Sequence, residues 1–351
     1  MKRFILKAGA TFMLFAFLSA ALSGCAIGGI RQDAVVETLP QVDPEDGVTK
    51  DVAVTLYYRL TDENYLVGIK RSVSVRANER VEKAMIRTLL EGVPLQALSG
   101  NVSALFPAGT SIVEVSVVGG IMYVTLSNEF FDTSAYDVTR AAADFSYQSG
   151  TINQETYERM VENAYDELLL TRKLAVYSLV NTITEINAGV RVQVLVDVNG
   201  TGTGVRLKLS DLGLSAAAQV DSELIEPMGF LEEYVVTPEI VAQCVLAHLV
   251  NGEYDLAYPL FSEDDDSGVQ KPQYANFETE MLSLGSFVNF TLYGGSFGDD
   301  ENYARIKVDL VYKASDGTEK ELKGRQLLLK REGDLYKLGY GTLLAILKGQ
   351  A

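Results

Sequence analysis

The order of hydrophobic and polar residues predicts strands and helices along most of the chain. Apolar side chains alternate with more polar ones from Val52 to Tyr58, which is the pattern of a half-buried strand. From Val81 to Leu89 they recur at helical spacing, with Asn78 as the predicted N-cap. The first part of the chain is thus predicted to run β-β-α-β-β-α-β, with further strands at 65–76, 113–117, 122–126 and 190–196 and a helix from 151.

Two short motifs indicate where a turn and a helix start. Gly119-Gly120 lies between two strands and suits a tight hairpin turn that needs positive φ. Thr151 and Gln154 fit a capping box at the start of a long helix, whose apolar stripe continues to Ile183 and which can break near residue 170. The segment at about 201–222 is predicted to be a strand-like piece followed by a linker of small residues.

The second part of the chain reads as helices followed by an antiparallel sheet. Thr237 and Pro238 suit the cap and first turn of a helix that reaches Val250, and a second helix is predicted from Asp255 to Phe261. Asp316-Gly317 is a hairpin signal. The predicted strands are 285–293, 303–313, 319–331 and 334–340.

The start of the chain has the features of an export signal. Lys2, Arg3 and Lys7 precede an uncharged apolar run at residues 8–23, which is short for a permanent membrane span. The run ends Leu22-Ser23-Gly24-Cys25, which resembles the lipobox of bacterial lipoprotein precursors. The resemblance implies cleavage before Cys25 and diacylglycerol on its sulfur; the alternative is an ordinary signal peptide with Cys25 as a bystander.

Charge restricts the partners of the exported chain. The 351-residue chain has a formal net charge of −17, and removal of residues 1–24 takes away three basic residues and no acidic one. Nucleic acid is excluded as a partner, because its binding depends on Lys and Arg that neutralise phosphates. Close contact with anionic lipid is disfavoured for the same reason, so residues 25–48 are predicted to be a tether that holds the body off the membrane.

The first folded part resembles a GerMN domain, which is named for sporulation and spore germination lipoproteins. The motifs that carry the resemblance are Leu89-Leu90-Glu91-Gly92-Val93-Pro94, Leu105-Phe106-Pro107-Ala108-Gly109-Thr110, the hairpin into Val124–Phe130, and Val194–Gly200. The similarity covers about 50–200. One departure is that the connection at about 133–170 looks longer than usual.

The second part more weakly resembles the NTF2-like cone, through the helix-turn-helix opening Asn251-Gly252-Glu253-Tyr254-Asp255-Leu256-Ala257-Tyr258. The predicted fold class is therefore α+β: a GerMN-like mixed sheet with packed helices, then a second α+β domain. The predicted domains are a signal peptide at 1–24, a tether at 25–48, a GerMN-like domain at 49–222 and an NTF2-like domain at 232–351.

Few residues offer chemistry. Cys244 and His248, the single histidine, lie four residues apart on one helical face, where they could act as nucleophile and base or as metal ligands. Val245 and Leu249 share that face and favour a buried structural role.

Three other clusters also favour structural interpretations. Gly200, Gly202 and Gly204 fit a flexible turn better than a phosphate loop, because no helix follows them. The acidic runs at 263–266 and 299–301 lack the ligand spacing of an EF-hand and are predicted to be solvated loops. No catalytic residue, cofactor or metal is predicted.

The lipobox resemblance and the lack of a catalytic motif favour a non-catalytic envelope lipoprotein that is held in the membrane through lipid on Cys25. The GerMN resemblance implies that it acts through contacts with unidentified envelope proteins in sporulation, germination or envelope assembly. The implied mechanism is docking through sheet edges and helix faces. The alternative is a small apolar ligand or an enzyme activity in the cone of the second domain. A deep cavity there with converging polar groups would favour the alternative, and a cone filled by its own side chains would favour docking.

The lipid anchor yields the first prediction. We expect Cys25→Ala to leave the protein unlipidated and largely released or unprocessed, because the sulfur that carries the diacylglycerol is gone. Detergent-phase partition and the mass of the mature protein measure this. A variant that still enters the detergent phase with the wild-type mature mass would show that the lipoprotein interpretation is wrong.

Overall fold

The computed structural model describes residues 49–93, 101–214, 223–265, 267–298 and 301–349. The predicted signal peptide, Cys25 and the tether lie outside these ranges and stay predictions. Thr49–Ala351 forms one compact unit. None of the described helices combines the length and the apolar character that a membrane span requires.

The described residues of the N-terminal part of this unit contain two sheets and three α-helices. Its elements are β1 (Thr49–Leu60), β2 (Leu66–Arg76), α1 (Val81–Leu90), β3 (Val102–Ser103), β4 (Ile112–Val118), β5 (Ile121–Ser127), α2 (Ser134–Gln148), α3 (Gln154–Ile186), β6 (Arg191–Asp197) and β7 (Val205–Arg206). The first sheet has the order β2-β1-β3 and is antiparallel. The second has the order β4-β5-β6-β7, in which β5 and β6 are parallel.

The long helix α3 joins these two sheets. It contacts β1, β6 and α1, and its C-terminal half, Leu174–Thr184, is buried throughout. Every second side chain of β5 points into this core, and Met122, Val124 and Leu126 are fully buried. Both sheets therefore bury their apolar faces against one helix, which is the layer arrangement of an α+β domain.

Hydroxyl groups of α3 complete the hydrogen bonding of β1. At Tyr57, β1 pairs with β2 on one side. On the other side β3 pairs only with Arg59 and Leu60, so no described strand pairs with Tyr57 there. The Tyr57 N–H donates to Thr182 Oγ1 at 3.1 Å, and the Ser178 hydroxyl donates to the Tyr57 carbonyl. The helix therefore covers an edge that would otherwise bury unpaired backbone groups.

The C-terminal part is a four-stranded antiparallel sheet with packed helices. Its elements are α4 (Pro238–Asn251), α5 (Tyr254–Ala257), α6 (Tyr274–Leu284), β8 (Gly285–Phe297), β9 (Tyr303–Ala314), β10 (Glu319–Glu332), β11 (Leu335–Leu338) and α7 (Tyr340–Leu347). The sheet order is β11-β10-β9-β8, and α4 packs on β8. Phe261, Phe277 and Tyr340 form an aromatic cluster inside it.

The α+β class and most strands agree with the sequence, and Gly119-Gly120 forms the predicted hairpin with φ of 59° and 80°. Thr237 caps α4 as predicted, because its hydroxyl accepts from Ile240 N. The division into two domains near 222–232 and the NTF2-like cone stay predictions.

Several boundaries were predicted wrongly. Asn78 does not cap α1, whose cap position is Arg80 without a side-chain bond, and α3 begins at Gln154 with Asn153 as its cap rather than at Thr151. Helix α3 also continues without a break through residue 170, because Leu169 and Leu170 keep apolar contacts there. The structure adds α2, α6 and α7, and α5 ends at Ala257 in a short 3₁₀ turn.

The hydroxyl contacts at β1 give a prediction for stability. Ser178→Ala and Thr182→Val should each lower the free energy of unfolding by about 1–3 kcal/mol, because each leaves a buried group of the Tyr57 backbone unpaired. Chemical denaturation measures the loss. The matched control is Ser146→Ala on α2, whose hydroxyl bonds to its own helix and which should change stability by less than about 0.5 kcal/mol. Equal effects at all three positions would contradict this role of α3.

Candidate protein-interaction site

Helices α2 and the N-terminal half of α3 form an antiparallel hairpin that is largely exposed. Aromatic pairs hold the two helices together: the rings of Tyr147 and Tyr157 stack at 5.2 Å, and those of Tyr136 and Tyr165 meet edge to face at 5.9 Å. The Tyr157 hydroxyl also donates to Asp144 at 2.8 Å. These contacts order a hairpin that buries little of its own surface in the body of the protein.

The outer face of α2 carries an apolar stripe. Val138 and Phe145 are 71% and 73% exposed, and Ala142 lies between them at helical spacing. Of the α2 residues, Ala143 is the one that is fully buried. Exposed apolar side chains on one helix face, next to further apolar surface, are a feature of binding surfaces.

A groove lies beside this stripe, between α2, α3 and the segment at 104–108. Its volume is about 720 Å³, and most of its surface is apolar. Small side chains leave the space open, namely Ala108, Ala135 and Ala164. The remaining apolar lining is Ala104, Leu105, Phe106, Pro107, Met160 and Leu168.

The rim of the groove is acidic. Asp132 and Glu167 line it, and the described lining residues include neither Lys nor Arg. Glu167 pairs with Arg59 of β1, which lies inside the body and also donates from Nε to the carbonyl of Glu63 at 2.8 Å. This ion pair fixes the wall of the groove to the first sheet.

The structure places Cys244 and His248 away from this groove, at the contact between the two parts of the unit. His248 Nε2 lies 2.7 Å from Glu63 of the β1–β2 turn, and Nδ1 lies 2.8 Å from Glu253 just after α4. Both ring nitrogens must donate to satisfy two carboxylates, so this arrangement favours the doubly protonated ring. The hydrogen bond to Glu63 raises the pKa of His248 above its ordinary value, helped by Glu253 and opposed by burial.

Cys244 is buried, as its apolar helix face predicts. Burial raises the pKa of its thiol, and the neighbouring carboxylate of Glu63 raises it further. A thiol in this environment is held protonated at neutral pH, which argues against a nucleophile. In the described part of the chain, no group of three or more His, Cys, Asp or Glu residues is arranged to hold a metal ion.

The glycine motif and the first acidic run have structural partners. The Asp197 carboxylate accepts from the N–H groups of Thr201 and Gly202 at 3.0 and 2.7 Å, which holds the glycine segment in a turn. Asp265 is buried rather than solvated, because its carboxylate accepts from Thr342 N at 2.9 Å at the start of α7. In the acidic runs, Asp266, Asp299 and Asp300 lie outside the described residues.

The groove was missed by the sequence interpretation, which left 133–170 as an unusually long connection. One signal was readable: Val138, Ala142 and Phe145 follow helical spacing before the Gly150 turn, and Asn153 is a good N-cap. The contact of this hairpin with the 104–108 turn has no local signal, because the two segments are distant in the chain.

Comparison with known proteins places the groove inside a known type of domain. Residues 55–201 match the family model described as Germane: Sporulation and spore germination. This range contains α2, α3 and the 104–108 segment, and it confirms the GerMN resemblance of the N-terminal part. No curated protein matches the chain.

The solved structures that are similar to the chain include the following two. One is a Clostridium perfringens protein provisionally described as a lipoprotein, with 16% identity and a TM-score of 0.22 over 42% of this chain and 75% of that chain. The other is the tandem GerMN domains of the sporulation protein GerM from Bacillus subtilis, with 15% identity and a TM-score of 0.27 over 76% of this chain and 62% of that chain. At these TM-scores the two likenesses carry no functional information.

The contact at His248 predicts a pH-dependent stability. His248→Gln should lower the free energy of unfolding by about 1 kcal/mol near pH 5.5. Because the folded-state pKa is raised, the stabilisation is complete below the ordinary pKa of about 6.5 and is lost as the pH rises through the folded-state pKa. The difference between variant and wild type should therefore shrink by pH 9.

Denaturation curves at the two pH values measure this difference, with Glu63→Gln as the second variant, since it removes the stronger partner of the ring. We expect binding of a protein partner to survive His248→Gln. An unchanged stability together with a lost cellular phenotype would instead identify a functional histidine.

Proposed function

We propose that this protein, a chain with a Germane domain over residues 55–201, is a non-catalytic envelope lipoprotein that docks another protein on its α2–α3 hairpin. The family description places the domain in sporulation and spore germination. The lipid on Cys25 would hold the protein at the outer face of the membrane. The docked partner would be a component of a sporulation, germination or envelope assembly.

The observation that carries the proposal is the exposed stripe of Val138, Ala142 and Phe145 beside an apolar groove. Burial of apolar area contributes about 25 cal/mol per Å². A partner that covered Phe145 and Val138 would therefore gain more than one that contacted an average polar surface. The hairpin itself is ordered by its tyrosine contacts, so little ordering entropy is lost on docking.

The net charge agrees with this role. A chain at −17 is repelled by anionic lipid, which keeps the folded part and its hairpin away from the membrane surface and open to a partner. The same charge disfavours nucleic acid.

The alternative was a ligand or an enzyme site in the cone of the C-terminal part. Phe261, Phe277 and Tyr340 fill that interior together with apolar side chains of the sheet: Ala304, Ile306, Val308, Leu310, Leu327 and Leu329. Two cavities among its described residues, of about 360 and 260 Å³, are smaller than the groove. An interior filled by its own side chains supports docking over the alternative.

The docking proposal predicts the effect of a surface change. Val138→Ser with Phe145→Ser should abolish capture of the partner by crosslinking in intact cells, because both side chains leave the apolar stripe. Stability should change by less than about 1 kcal/mol, since neither residue is packed. Leu282→Ser on α6 is the matched control, because Leu282 is also apolar and 58% exposed. A double variant that captures the partner and supports the phenotype as well as the control does would overturn the proposal.

A further inference from the structure

We propose that the groove binds an amphipathic α-helix of the partner protein, with apolar anchors on one face and Lys or Arg residues beside them. This inference rests on the proposed docking function and names the chemistry of the partner. It follows from the shape of the groove, the hydrogen-bonding capacity of its walls and the charge of its rim.

The shape fits a helix. One wall of the groove is the face of α3 from Met160 to Thr171, on which Ala164 and Leu168 follow Met160 at four-residue steps. At about 1.5 Å per residue this wall is about 16 Å long, or three helical turns. Apolar anchors at i, i+3 or i+4, and i+7 on an entering helix span a similar length.

The stripe on α2 extends the same apolar surface. Ala135 and Thr139 line the groove, and Val138 and Ala142 follow them three residues later on the neighbouring helix face. Residues three apart are neighbours on a helix surface. A helix that places its anchors in the groove would therefore also cover the stripe.

Hydrogen bonding favours a helix over an extended peptide. Added strands need a free strand edge that pairs with their N–H and C=O groups. The described lining comes from two helices and the 104–108 and Asp132 segments, none of which is a strand. An extended peptide would bury unpaired backbone groups there, whereas a helix satisfies its own.

Charge selects the rest of the partner. Asp132 lies exposed at the groove, Glu167 lines it while paired with Arg59, and the described lining includes no Lys or Arg. The whole chain carries a net charge of −17. A helix with Lys or Arg beside its anchors complements this rim and is steered toward it.

Two other occupants are disfavoured by the same charge. A second copy of the chain has the same acidic rim and a net charge of −17. The tether at 26–48 is acidic as well, since its one basic residue is accompanied by five acidic ones: Asp33, Glu37, Asp43, Glu45 and Asp46.

The test begins with photocrosslinking in intact cells. A benzophenone amino acid replaces Ala164 inside the groove, Thr139 at its edge, or Leu282 as the control, each in the full chain. Mass spectrometry then reads the crosslinked segment. We expect the two groove positions, and not position 282, to capture one segment of another protein that has helical apolar spacing and flanking Lys or Arg. The Thr139 position keeps the test valid if the bulky group at 164 disturbs folding.

The captured segment is next made as a synthetic peptide and titrated against the purified full chain. Its Kd should rise at least tenfold for Ala164→Trp, which fills the groove, and should also rise for Asp132→Lys, which reverses the exposed charge at its rim. Added salt should weaken binding to the wild type and have less effect on the charge-reversed variant.

The outcomes separate the two proposals. Capture of residues 26–48, of a second copy, of lipid, or of a segment without basic flanks would overturn the inference about the occupant. A benzophenone amino acid at Val138 or Phe145 tests the stripe in the same way. Capture of a partner from the stripe, but from neither groove position, would overturn the inference about the helix and leave the docking proposal standing. If the Val138→Ser, Phe145→Ser variant still captured the partner and kept the wild-type phenotype, the proposed function itself would be overturned.

Discussion

The architecture depends on the buried half of α3. Its polar side chains lie inside an apolar core and form hydrogen bonds with the backbone of neighbouring segments. Ser178 and Thr182 bind the backbone of Tyr57 in β1, and Asn181 binds the backbone of Leu231 in both directions, at 2.8 and 3.2 Å. All three side chains are fully buried. Because a buried polar group without a partner is costly, each contact specifies one position of its neighbour relative to the helix. The same helix then orders β1, the second sheet and the chain that leads to the C-terminal part.

This constraint also explains how an exposed hairpin can be ordered. The N-terminal half of α3 is a rigid continuation of its buried half, so α2 needs only the tyrosine contacts and the helix–helix contact to stay in place. The pair of Arg59 and Glu167 connects the same helix to β1 where it leaves the body. A groove with ordered walls and a largely apolar lining results, and the 104–108 segment of the body forms one side of it.

The contact between the two parts of the unit uses a different chemistry. Backbone bonds join Val236 N to the Leu66 carbonyl at 2.9 Å, and His248 lies between Glu63 and Glu253. The position of His248 in the last turn of α4 adds the helix dipole to the two carboxylates that favour its charged form. The geometry around His248 therefore favours the charged ring, and Cys244 beside it is buried in the core.

Local pattern determined much of this protein. Period-two alternation located β1, β5 and β6, the Gly119-Gly120 pair located a hairpin, and Thr237 with Pro238 located the start of α4, because each signal lies within one element. The motifs around Leu105–Thr110 also identified the Germane part, and the apolar neighbours of Cys244 indicated its burial. The observed cap positions, Arg80 and Asn153, lie two residues after the predicted ones, because several polar residues precede each helix and the pattern does not distinguish among them.

Only the tertiary structure decided where distant segments meet. The N-terminal strands divide into two sheets, and the hydroxyl contacts at the edge of β1 and the meeting of Glu63 with His248 join residues 121 to 185 positions apart. The groove arises in the same way, from the packing of the 104–108 turn against α2 and α3. Periodicity describes which face of an element is apolar and carries no information on which distant element will cover it. On α2 part of the apolar face stays uncovered. The candidate site was therefore identified from the fold and not from a sequence motif.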